Sequence, residues 1–151
     1  MKLLVRLTAS LLALSSPALL AQSADVAEED IRTLNGCALI PGTQCQGVDL
    51  RGADLRHLDL RKADLTGADL RDADLRHAVL DQARLDNARL EGANFTRASL
   101  QQTAMRGAQA DEAQFVAISG WNLTAQGASF KGADFTGASL DFARFSGATM
   151  H

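Results

Sequence analysis

Between residues 53 and 81 the chain reads ADLRHLDLRKADLTGADLRDADLRHAVLD, and Leu returns at every fifth position from 55 to 80. A helix repeats at 3.6 residues and a strand at 2, so a period of five belongs to neither as a long continuous element. Carried to the end of the chain, the same phase gives 21 pentapeptides with central residues from Leu50 to Met150. Leu fills eleven centres, Phe five and Met two, and only Ala110, Gly120 and Ala125 are small. Two places before each centre the residue is mostly Ala, the exceptions being Val48, Leu58, Thr103, Ile118 and Leu123. Most glycines lie two places after a centre. An amphipathic helical bundle is excluded, because a five-residue period walks around a helix and makes no stripe.

Two inward residues spaced by two describe a short extended side, and the remaining two positions must turn the chain. A small and a large inward residue per side fill a narrow interior that is buried only when coils stack. ADLTG (63–67), ADLRD (68–72), ANFTR (93–97) and ADFTG (133–137) stand out, and the run from 48 to 150 resembles the pentapeptide-repeat family. The resemblance implies an all-β solenoid, a right-handed quadrilateral β-helix with four pentapeptides per coil. The 21 sides then make about five coils, stacked about 4.8 Å apart to a height of roughly 25 Å.

The chain divides into 1–23, 24–47 and 48–151. MKLLVRLTASLLALSSPALLAQSA carries Lys2 and Arg6, an apolar run from Leu7 to Leu20 and then small residues, the layout of a secretory signal peptide cleaved within 21–24. Its loss leaves 13 basic against 18 acidic residues, a net charge of −5 that argues against nucleic-acid binding and against anionic membranes. Residues 24–47 are expected to cap the first coil. Asp25 serves as N-cap, Ala27, Ile31 and Leu34 share a helical face, and Gly36 ends the helix. Cys37 and Cys45 flank a Pro41–Gly42 turn, and in an exported chain they read as a disulfide, the alternative being a metal pair short of two ligands.

Outward positions twenty apart stack, so Asp49/Arg51 lies below Asp69/Arg71, and Asp54/Arg56 below Asp74/Arg76. This lattice reads as solubility and register control. His57 and His77 fall at one corner, two ligands without a matching carboxylate, and no metal or cofactor site is assigned. In FVAISGWNLTAQG (115–127) the pattern departs, either by a volume swap within the coil or by a bulge. Trp121, with Val116, Asn122 and Leu123, forms the candidate contact for a protein partner. The final coil, with Phe142, Phe145 and Met150, has no cover after it, and the resemblance implies a homodimer through that end. No catalytic constellation is present. The reading is therefore an exported, periplasmic or secreted, non-enzymatic scaffold or protein-binding rod, with no membrane attachment once the signal is removed. The alternative implied by the resemblance is a DNA mimic that inhibits or protects DNA gyrase.

Overall fold

The computed structural model describes residues 31–151. From Gln44 onward, residues pair in parallel with residues twenty further on, from Gln44↔Asp64 to Ser129↔Thr149. Twenty residues and four corners therefore make one coil. On each side the central residue's N–H donates upward, as Leu50 N does to Asp69 O at 2.7 Å, and Asp69 N returns a bond to Val48 O at 2.9 Å. At each corner the chain closes a turn, for example Ala53 N to Leu50 O at 3.1 Å, and the corner is itself stacked, Gly52 N to Arg71 O at 2.8 Å.

The geometry of that corner explains where glycine falls. The residue two after each centre has a positive φ at every corner from Gly42 to Gly147. That is the third position of a type II turn, which glycine enters without steric cost. Twelve corners nevertheless carry other residues, including His57, His77, Ala117, Asn122 and Phe142. Each costs about 1 kcal/mol or more of backbone strain, and the stacked hydrogen bonds above and below hold it in place.

The interior follows the two inward columns. Leu at positions 50 to 90 is almost fully buried, as is the Ala column from Ala63 onward through Ala128 wherever it keeps Ala. From the third coil one column becomes aromatic. Phe95, Phe115 and Phe135 stack with centroids 4.9 Å apart and planes within 10°, repeating the strand spacing. Phe130 meets Phe115, Phe135 and Phe145 edge-on.

The segment 115–127 is a volume swap. Bridges Ser119↔Ser139 and Thr124↔Arg144 keep the register, and the corners at Ala117, Asn122 and Gly127 keep their phase. Ile118 and Leu123 are buried in positions usually held by Ala, opposite the small centres Gly120 and Ala125. A Cβ on Gly120 would lie 2.8 Å from Leu140 Cδ2 and 3.5 Å from Leu123 Cδ1, so neighbouring side chains already occupy the centre's volume.

At the N-terminal side the expected helix end, from Leu34 to Gly36, is instead part of a hairpin. Residues 24–30 of that expectation, like the signal segment 1–23, lie outside the described residues. Thr33–Leu34 (β1) pairs antiparallel with Cys37–Ala38 (β2). Asn35 and Gly36 both have positive φ, as a two-residue type I′ turn demands, and Asn-Gly is the dipeptide that supplies it. Leu34 packs on the core, and Asn35 Nδ2 donates to Asp49 O at 2.6 Å. Cys37 and Cys45 are joined in a disulfide with Cα atoms 5.6 Å apart. Cys45 occupies the central position of a side that begins at Thr43, so the ladder starts one pentapeptide before Val48. The disulfide thus ties the hairpin directly into the first coil's inward column.

Candidate interaction surfaces

In the stacked interior coils, Ile118 aside, the backbone N–H left without a backbone partner is that of the residue just after the centre. A carboxylate or amide just before the centre supplies what that N–H lacks. Asp49 Oδ1 accepts from Arg51 N at 3.2 Å, Asp74 Oδ1 from Arg76 N at 3.2 Å, and Asn94 Oδ1 from Thr96 N at 2.9 Å. Where the position before the centre has no Asp or Asn, the coil below can serve. Asp81, Asp86 and Asp111 cap the N–H groups of Gln101, Arg106 and Lys131, each twenty residues on. The aspartates therefore have a structural task before any question of a ligand arises.

Arginine then takes up their remaining lone pairs. Arg51, Arg56, Arg61, Arg71 and Arg76 each bond both carboxylate oxygens of the Asp two residues earlier. Longer contacts join adjacent coils, such as Arg56 to Asp74 at 3.7 Å and Arg89 to Asp69 at 3.8 Å. The Arg51 guanidinium, helped by its own backbone N–H, holds the Asp49 carboxyl down to about 2. Arg56 lowers Asp54 in the same way, and Arg61, Arg71 and Arg76 lower Asp59, Asp69 and Asp74. The Thr66 hydroxyl is the main cause for Asp64, and Thr136 for Asp134.

These faces are ionised and internally neutralised. Four acids, Asp25, Glu28, Glu29 and Asp30, precede Ile31, so residues 31–151 carry 13 basic against 14 acidic side chains, a net charge of −1. At one corner His57 and His77 stack with centroids 4.9 Å apart and planes at 7°. Among the described residues no group of three or more His, Cys, Asp or Glu is arranged to hold a metal ion.

The upper coils differ. Their outward positions are dominated by Ser, Thr and Gln, and two large apolar side chains stand outside. Trp121 is 44 % exposed and Phe142, at a positive-φ corner of the next coil, is 77 % exposed. Their rings meet nearly at right angles, centroids 6.4 Å apart. Val116 and Asn122 are half-buried. Leu123, grouped with Trp121 on sequence grounds, is 2 % exposed and belongs to the core, because the volume swap turns it inward. Phe142 was assigned to the chain's end by position, and its pairing with Trp121 is legible only once coils are stacked.

Among the described residues, none stacks on the last coil. The inward residues Phe135, Leu140 and Phe145 are only partly buried, and Met150 is 48 % exposed. Among the described residues, the N–H groups of Phe135, Leu140, Phe142 and Phe145 and the carbonyls of Ala133, Ala138 and Ala143 meet no backbone partner.

A family model for pentapeptide repeats matches residues 43–82, 73–109 and 121–151, in eight copies. The chain belongs to the pentapeptide-repeat family. Membership accounts for the quadrilateral β-helix with its right-handed course. Among solved structures, a pentapeptide-repeat protein (Rfr23) from the cyanobacterium Cyanothece 51142 superposes with a TM-score of 0.63 at 20 % identity, over 72 % of this chain and 91 % of that one. QnrB1, a plasmid-mediated fluoroquinolone resistance protein, matches at 18 % identity and a TM-score of 0.44, over 70 % of this chain and 57 % of its own. A pentapeptide-repeat protein of the Arabidopsis thaliana thylakoid lumen is 25 % identical over 70 % of this chain, with a TM-score of 0.20. A comparison with curated proteins gives no match.

Proposed function

We propose that the chain is an exported, non-enzymatic pentapeptide-repeat rod that acts as a scaffold by binding protein at its C-terminal coils. The observation that carries this reading is the contrast between the two ends. A hairpin and a disulfide secure the first coil, whereas the last leaves core residues and backbone groups bare. Unpaired strand edges and exposed aromatic groups are what a protein interface covers. Trp121, with Val116 and Asn122, offers a lateral contact beside that end, and Phe142, Phe145 and Met150 offer a contact to a second copy. The regular sides provide no deep cleft to desolvate a substrate, which favours binding over catalysis.

Export rests on the signal-like segment 1–23, and the Cys37–Cys45 disulfide supports it, since such bonds persist in oxidising compartments. The test is the intact mass of the protein from fractionated cells, reduced and non-reduced, with a thiol-alkylating reagent. The expected species is periplasmic or secreted, starts between Gln22 and Asp25, and leaves both cysteines unmodified until reduced. A full-length cytosolic species with free thiols would overturn export.

The gyrase-directed alternative is disfavoured by charge. A DNA mimic needs uncompensated negative charge along its faces, whereas residues 31–151 carry a net −1 and the aspartates are bound by arginines.

A further inference from the structure

We infer that His57 and His77 form a two-imidazole site for a late first-row divalent cation, with Cu²⁺ preferred over Zn²⁺. The site lies on the lower coils, away from the C-terminal binding end, and stands or falls separately from it.

The ladder brings the two rings together. His57 and His77 hold the same corner position in successive coils, with a φ of 59° at both. The bridges Asp54↔Asp74 and Asp59↔Val79, on the sides before and after, lock the two corners in register. Each corner N–H also bonds the coil above, His57 N to Arg76 O and His77 N to Thr96 O, both at 3.1 Å. Identical backbones one rung apart send both side chains the same way, and the imidazoles stack with centroids 4.9 Å apart and planes at 7°. Metal–nitrogen bonds of about 2.1 Å at a tetrahedral angle put two ligating nitrogens about 3.4 Å apart, so each ring tip has to lean inward by roughly 0.7 Å. Both histidines are exposed, and the broad terminal torsion of the side chain allows that lean.

The backbone does not select histidine here. Glycine fills other corners of the same coils, at Gly52 and Gly67, without the strain that a side chain brings. Nor are the rings held by acids. The carboxylates nearest in sequence are committed to arginine, Asp54 to Arg56, Asp59 to Arg61 and Asp74 to Arg76. The same pairing neutralises the cations beside the corner. Arg97, at the corner above His77, keeps one positive charge nearby and limits the affinity.

The donor set decides the ion. Imidazole suits Cu²⁺ and Zn²⁺, whereas Mg²⁺ and Ca²⁺ want oxygen, and the Irving–Williams order places Cu²⁺ first. Two protein ligands leave the remaining positions to water. Such an open site holds its ion exchangeably, which suits carrying an ion better than fixing the fold.

The test is titration of the full chain with Zn²⁺ alone and with Cu²⁺ alone at about pH 7.5, where protons compete little for the ligands. Histidine ring resonances follow Zn²⁺, and competition with a chromophoric chelator gives both affinities. The variants are His57→Asn and His77→Asn, since Asn tolerates the left-handed corner, with His151→Gln as the control for the third histidine. Thermal midpoints verify that all three fold. The expected result is one ion per chain, half-saturating below about 100 μM, tighter for Cu²⁺ than for Zn²⁺. The His57 and His77 resonances should shift together. The second imidazole closes on an ion already held by the first, so losing either should weaken binding at least about tenfold. His151→Gln should leave binding unchanged. Zn²⁺ that shifts His151 alone, or shifts no histidine below that concentration, would overturn the site. Binding retained in full by either asparagine variant would overturn the shared ion.

Discussion

The residue that gives the lower coils their character is the aspartate just before the central leucine, from Asp49 to Asp74. Its Oδ1 caps the one N–H that the ladder leaves free, and its other lone pairs engage arginine. Asp69→Ala should therefore lower stability by about 1–2 kcal/mol. Asp69→Asn, which keeps the acceptor as Asn94 does for Thr96, should lose less than half of that. The midpoint of urea unfolding reads both. The lowered carboxyl pKa values set the response to pH. A group whose folded pKa lies below its unfolded value of about 3.9 contributes stability above that value and loses it as pH falls through the folded pKa. With Asp49 near 2, and Asp54, Asp59, Asp69 and Asp74 lowered likewise, thermal midpoints should stay level from pH 8 to 5 and fall between about pH 4 and 2. A midpoint that rose on acidification would contradict the capping role. At the corners, Ala117 holds a φ of 53° with no polar side chain to recoup the strain, so Ala117→Gly should raise stability by about 0.5–1 kcal/mol.

At the scale of the element, each side is a three-residue strand and a two-residue corner whose inward volume is conserved while its distribution is not. Ile118 and Gly120 exchange the usual small and large positions. Ile118→Ala alone should cost about 2–5 kcal/mol through the cavity it leaves. Gly120→Leu alone should cost about 1–3 kcal/mol, because Leu140 and Leu123 already fill that space. Combined with Leu123→Ala, which removes one of those two side chains, Gly120→Leu should cost clearly less than the sum of the single changes, which a double-mutant cycle in denaturant measures.

The sides were legible in the sequence because their period is set by backbone geometry, repeated many times in one phase. The swap could be located at 115–127, but choosing it over a bulge needed the unbroken bridges Ser119↔Ser139 and Thr124↔Arg144. For the same reason Leu123 was misplaced outward. The cap was misread at Asn35–Gly36, where the helical spacing of Ala27, Ile31 and Leu34 outweighed a two-residue turn signal. The in-phase Cys45 looked like a loop residue because Cys replaces the usual leucine. The capping role of aspartate was not legible, since which N–H the ladder leaves free depends on how coils stack.

Over residues 32–151 these choices add up to a rod with unlike ends. Charges on the lower coils neutralise one another, the hairpin secures the start, and the aromatic column runs towards an end left open. Such polarity suits a scaffold that is rigid along its sides and binds at one place. The most direct test is amide hydrogen exchange resolved by residue, on the dilute protein and again at high concentration. The account predicts slow exchange for the central N–H groups from Leu50 to Phe130 in both conditions. It predicts fast exchange at Phe135, Leu140 and Phe145 when dilute, turning slow on association. Protection of those three amides in the dilute protein, or their continued fast exchange in the assembled one, would contradict a C-terminal binding end.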